Sequence, residues 1–120
     1  MDAQRLREIP VFSTLDDETL RSVATFATEI SVAAGQHLLN EGDYAYELMA
    51  IEEGEAEVVR GGERLAVLGP GEFFGEMALL EKTVRMASVI AITPMRLVTL
   101  SHWDLKRLGP ALEEIRRTLE

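Results

Sequence analysis

Apolar positions follow a helical spacing near the start of the chain, alternate through its middle, and return to helical spacing at the end. Residues 2–8 are polar and helix-tolerant, with Leu6 and Ile9 as docking residues and Pro10 as the stop. Asp16-Asp17-Glu18 opens a second helix. Asp16 can cap free N–H groups and the next two acids suit the positive end of the dipole. Leu15, Leu20, Val23, Ala24, Ala27 and Ile30 then share one buried face. From about residue 29 the period becomes two. Strands are expected near 29–34, 37–40, 46–52, 55–60, 63–68, 86–93 and 95–100. Glycine-bearing turns and Thr93-Pro94 separate them, and Gly61-Gly62 is the strongest hairpin signal. After Leu100 the helical period resumes. Ser101 can cap a helix over 103–108, Gly109-Pro110 restarts it, and Leu112, Ile115 and Leu119 line its apolar side. The pattern predicts a mainly β sandwich or barrel with flanking helices.

At 120 residues the chain is expected to form one domain. Its formal net charge of −9 argues against nucleic acid as a partner, since phosphate backbones are bound through Lys and Arg. Without cysteine there is neither a disulfide framework nor thiolate chemistry. No apolar leader and no membrane-spanning run occur, so a cytoplasmic location is expected.

The most informative stretch is Gly71-Glu72-Phe73-Phe74-Gly75-Glu76-Met77-Ala78-Leu79-Leu80, followed by Arg85-Met86-Ala87-Ser88-Val89. Gly75 to Glu81 is too short for an ordinary helix. A single helical turn there would present free N–H groups, which bind anions, and Gly75 would let a ligand approach the backbone. Glu76 repels phosphate but can accept from a sugar hydroxyl. Arg85 offers a planar fork for two phosphate oxygens.

This stretch resembles the phosphate-binding cassette of cyclic nucleotide-binding domains, the family of catabolite activator protein, kinase regulatory subunits and nucleotide-gated channels. The family pattern Phe-Gly-Glu-x-Ala-Leu stands here as Phe74-Gly75-Glu76-Met77-Ala78-Leu79, and Arg-x-Ala-Ser/Thr-Val as Arg85-Met86-Ala87-Ser88-Val89. The likeness extends over Pro10-Val11-Phe12-Ser13-Thr14-Leu15, Glu41-Gly42-Asp43, Gly54 and Leu68-Gly69-Pro70-Gly71. It implies a double-stranded β-helix, a jelly-roll-like β-roll. It also implies N-terminal helices over 1–28, the roll over 29–100 with its cassette at 71–89, and C-terminal helices over 101–120. Carried over by position, Glu76 would bind the ribose hydroxyl and Arg85 the cyclic phosphate. Backbone groups of Gly75, Met77, Ala78 and Ala87 would complete the cradle, with Phe74 leading into it and Met86 beside the base. Members that prefer cyclic GMP often carry a hydroxyl after the arginine. Met86 has none, so cyclic AMP is the expected ligand and cyclic GMP the other candidate. Ala45, Tyr46 and Val84 depart from residues frequent in the family at those positions.

Taken alone, Glu76 reads as a helix-start acid and Arg85 as a solvated strand-end arginine, and the two could pair with each other. His37 and His102 are too isolated for a metal set. Ser101-His102-x-Asp104 is too local for a triad. No catalytic residue, cofactor or metal is expected. The implied function is a non-catalytic cyclic nucleotide sensor. Its output would lie in an effector protein or a fused segment, and homodimer formation is left open. The alternative is a protein-interaction module of the same fold that binds no nucleotide.

Overall fold

The computed structural model describes residues 1–43, 47–74, 87–101 and 103–104. Helix α1 (Ala3–Arg7) is capped by Asp2, whose carboxylate accepts from the Gln4 N–H at 2.8 Å. Pro10 opens a short 3-10 turn, Pro10–Phe12. Helix α2 (Asp17–Phe26) starts where expected, with the Asp16 carboxylate accepting from the Thr19 N–H at 2.7 Å. Its buried face, Leu20, Val23 and Ala24, meets Leu6, Ile9, Phe12 and Leu15 in one apolar cluster.

Among the described residues eight strands follow: β1 (Thr28–Val32), β2 (His37–Leu39), β3 (Glu47–Glu53), β4 (Ala56–Arg60), β5 (Glu63–Leu68), β6 (Phe73–Phe74), β7 (Ser88–Ala91) and β8 (Met95–Ser101). They form two four-stranded sheets, ordered β1-β8-β3-β6 and β2-β7-β4-β5. Every pairing between them is antiparallel. The mainly β fold with N-terminal helices is therefore as expected.

Sheet one is covered on both faces, and period-two alternation sorts its side chains. Leu48, Ala50, Val98 and Leu100 join the helices. Met49, Ile51, Met95 and Leu97 point the other way, into a second cluster that includes Val89, Ala91 and Ala56 from sheet two. This double coverage explains the nearly unbroken apolar runs of β3 and β8.

Some expectations need correction. Ile30 does not belong to the α2 face; it lies half-buried in β1. Ala27 already has an extended backbone, and the ladder with β8 begins at Thr28↔Thr99. The strand expected over 86–93 spans only Ser88–Ala91. The Ile92 and Thr93 N–H groups both donate to the Glu55 carbonyl instead of extending a ladder. Strand β6 was not expected at all. The Gly61-Gly62 hairpin is present, with φ of 58° and 83°, joining β4 to β5. Ser101 caps as read: its Oγ accepts from the Asp104 N–H at 3.1 Å and donates to the Asp104 carboxylate at 2.8 Å. Residues 105–120 lie outside those described.

At one end of the roll two connections run side by side. Gly54-Glu55 carries the chain from sheet one to sheet two, and Ile92–Pro94 carries it back. The Glu55 N–H donates to Thr93 Oγ1 at 3.0 Å. Gly54 has φ of 92°, and a Cβ there would strike the Pro94 carbonyl and stand 2.8 Å from Met95 Cγ. Strain and overpacking together predict that Gly54→Ala lowers unfolding free energy by about 2–4 kcal/mol. Urea denaturation will measure it, and a loss within experimental scatter would mean that the crossing relaxes freely.

The hydrogen bonds from Thr19 hold the Asp16 carboxyl below its ordinary value. A depressed folded value means the cap stabilises above the ordinary aspartate pKa and fails as pH drops through the folded one. The gap in denaturation midpoint between wild type and Asp16→Ala should therefore be widest above about pH 5 and narrow as the pH falls through the depressed folded value. A gap independent of pH would contradict a charged cap.

Candidate ligand-binding site

The segment that carries the sequence signature is held at both ends by strands of different sheets. On the leading side, β5 lies at the edge of sheet two and β6 at the edge of sheet one. Residues Gly69–Glu72 make the crossing. The Gly69 N–H donates to the Glu72 carboxylate at 2.6 Å, which closes the turn on itself. The Gly71 N–H donates to the Ile51 carbonyl, and the Ile51 N–H to the Glu72 carbonyl, both at 2.9 Å. Strand β3 thus grips the lead-in before the ladder pairs Ala50↔Phe73 and Met49↔Phe74 begin. Phe73 packs towards the helices, and Phe74 is buried in the cluster between the sheets.

On the far side the chain re-enters sheet two. Ala87 sits half-buried in a bend just before β7. Val89 pairs with Val58 on one neighbour and Leu39 on the other. Phe74 and Val89 belong to the same apolar cluster, so both anchors of the intervening segment rest in one core. Leu38, Leu39, Val58 and Leu68 lie half-buried against that cluster and give sheet two an apolar inner wall.

Of the residues expected to bind ligand, Phe74 and Ala87 are the two that fall within the described parts. Gly75, Glu76, Met77, Ala78, Arg85 and Met86 lie outside them, as do Ala45, Tyr46, Val84 and His102. The convergence of Glu76 and Arg85 is thus a matter for proposal.

Several described arginines are committed elsewhere. Arg64 pairs with Glu57 at 2.6 Å, and Arg7 pairs with Asp17. Arg5 donates to both Glu52 oxygens at 3.2 and 3.0 Å and also meets Glu29. Glu52 is the principal cause raising the Arg5 pKa above its ordinary value. Arg96 adds Glu29 and Glu53 to the network, at 3.4 and 3.7 Å. A cleft of about 360 Å³ lies beside it, between Arg5, Pro10 and the Pro70-Gly71 turn. Its one arginine is already satisfied by two carboxylates, and Glu8 adds another acid, so the cleft does not suit an anion.

Sequence reading missed two polar contributors near the segment. Ser88 Oγ accepts from the Glu41 N–H at 2.9 Å, and the Glu41 carboxylate accepts from the Gly61 N–H at 3.2 Å. Both residues stood in quoted motifs, but their partners are 47 and 20 positions away, which no local pattern reveals.

Comparison with known proteins meets this geometry directly. The cyclic nucleotide-binding domain family matches residues 29–109, a span that includes both anchors and everything between them. The chain belongs to the cyclic nucleotide-binding domain family. The cAMP-dependent protein kinase regulatory subunit of Schizosaccharomyces pombe is 37% identical over 113 residues, covering 92% of this chain and 27% of that protein. The chain thus spans about a quarter of the length of such relatives. The crystal structure of a putative cyclic nucleotide-binding protein from Geobacter metallireducens superposes with a TM-score of 0.85 at 26% identity, covering 99% of this chain and 96% of that one. The regulatory subunit of a cAMP-independent protein kinase A from Trypanosoma brucei gives a TM-score of 0.83 at 28% identity, over 96% and 43% of the two chains. Among the described residues, no helix of this family member is long and apolar enough to cross a membrane.

Proposed function

We propose that this chain is a single, non-catalytic sensor domain that binds cyclic AMP between Phe74 and Ala87 and works in the cytoplasm. The observation that carries the reading is the anchoring of that segment. Its two ends leave from opposite sheets yet are fixed in one buried cluster, with the half-buried apolar wall of β2, β4 and β5 beside them. Fixed ends restrict the conformations that a binding loop must lose on ligation, which lowers the cost of binding. In this reading Arg85 takes the cyclic phosphate through its two-pronged fork. Glu76 accepts from the ribose hydroxyl. Gly75, Met77, Ala78 and Ala87 supply backbone groups, and Met86 lies by the base. The kinship with a cAMP-dependent regulatory subunit supports cyclic AMP as the ligand.

Signalling in this reading is a shift of population between two states of the segment and of the helices beyond Ser101. The ligand moves that equilibrium only by its differential affinity for the two states. An effector protein or a fused region receives the output.

The second reading keeps the fold and drops the nucleotide, leaving a protein-interaction module. The likeness to a regulatory subunit described as cAMP-independent favours it enough to require a test. Titration calorimetry with cyclic AMP and cyclic GMP separates the two. Wild type should bind cyclic AMP, and Arg85→Ala should lose about 2–5 kcal/mol, the usual cost of stripping one partner from a desolvated charge pair. No heat from wild type with either nucleotide selects the interaction module. A loss of less than about tenfold, or 1.4 kcal/mol, removes Arg85 as the phosphate anchor.

A further inference from the structure

Strand β7 begins three residues after Arg85, and its first residue is held in an unusual way. Its ladder with β2 stops at Leu39↔Val89, with a register shift just before. Ser88 therefore has a strand partner, Val59, on the β4 side alone. On the β2 side the role passes to a side chain: Ser88 Oγ accepts the Glu41 N–H at 2.9 Å. Glu41 stands in a tight turn, closed by the Asp43 N–H donating to the Asn40 carbonyl at 3.1 Å. Its own carboxylate turns to the β4–β5 hairpin and accepts the Gly61 N–H at 3.2 Å. One residue thus ties the end of β2, the tip of the β4–β5 hairpin and the first residue of β7.

We propose that Glu41 is a positioning residue for nucleotide binding, acting through Ser88 to fix where the chain re-enters sheet two after Arg85. This inference rests on the sensor reading. Three residues of backbone span at most about 10 Å, so the placement of Ser88 limits where the Arg85 backbone can stand. A guanidinium that must meet two oxygens at once tolerates little displacement, because a bidentate contact is directional as well as strong. Glu41 touches no ligand in this account. Its carboxylate serves as an acceptor for a neutral amide, so glutamine can replace it. A role through charge would behave otherwise, since removing a negative group near a phosphate site should tighten binding.

The test is calorimetry with cyclic AMP on wild type, Glu41→Ala, Glu41→Gln, Ser88→Ala and Ser88→Thr, paired with amide hydrogen exchange on the ligand-free chains. Losing a single hydrogen bond of this kind has a modest net effect, so Glu41→Ala and Ser88→Ala should each weaken binding about three- to tenfold. Glu41→Gln and Ser88→Thr should stay within about twofold of wild type, since each keeps the acceptor. Exchange should quicken at Gly61 in Glu41→Ala and at Glu41 in Ser88→Ala. Wild-type affinity in both alanine variants overturns the positioning role and leaves the sensor reading intact. Tighter binding by Glu41→Gln also overturns it, in favour of a charge effect. Should wild type bind no cyclic nucleotide, the sensor reading falls and the positioning role with it. The exchange data then show whether the tie itself exists, with unchanged rates at Gly61 and Glu41 refuting the tie too.

Discussion

The structure depends on the apolar cluster shared by its two sheets. Phe74, Met49, Ile51, Met95 and Leu97 enter it from sheet one, and Ala56, Val89 and Ala91 from sheet two. Each large side chain buried there contributes about 1.5–3 kcal/mol, more than a surface ion pair or exposed hydrogen bond of this molecule can supply. The cluster also has a topological consequence. The chain leaves it at Phe74 on the edge of one sheet and returns at Val89 inside the other. Both ends of the signature segment are therefore set by a rigid scaffold, and binding residues are commonly carried by segments positioned in that way. The core thus pins both ends of the segment that carries the family signature.

The helices add a second layer without entering that cluster. They cover the outer face of sheet one through Leu48, Ala50, Val98 and Leu100. Gly71, in the lead-in to β6, lies close to Pro10, with a Cβ at that glycine standing 3.3 Å from Pro10 Cγ. Arg5 clamps α1 to Glu52 of β3 and Glu29 of β1. The N-terminal layer and the lead-in to the proposed binding segment therefore share a packed boundary. Tight packing resists gradual deformation, so a shift on one side of such a boundary is felt on the other.

Much of this was legible in the sequence because the governing signals are local. Asp16 declared the start of α2, the double glycine declared the β4–β5 hairpin, and short apolar stretches set off by turn residues declared five further strands. Strand β6 was not legible. Two residues cannot show a period of two, and Phe73-Phe74 owes its strand form to the Ile51–Glu72 and Ile51–Gly71 hydrogen bonds with β3. Ile30 was misassigned because it falls at helical spacing from Ala27, while Thr28 had already begun to pair with Thr99. The ion network of Arg5 and the tie through Glu41 were hidden for the same reason: both join residues distant in the chain. Of the candidate site, the family motif was readable in Phe74–Leu79 and Arg85–Val89, while the placement of residues 75–86 lies outside the described residues. That its two anchors belong to different sheets emerges only from the three-dimensional pairing.

The claim that one core fixes both anchors is tested most directly by residue-resolved amide hydrogen exchange on Phe74→Leu. The substitution trims the buried ring from the sheet-one side. If the cluster is one unit, protection should fall in β7, across the interface, as well as in β3 and β6. Loss confined to sheet one, with Ser88–Ala91 exchanging as in wild type, would contradict the account.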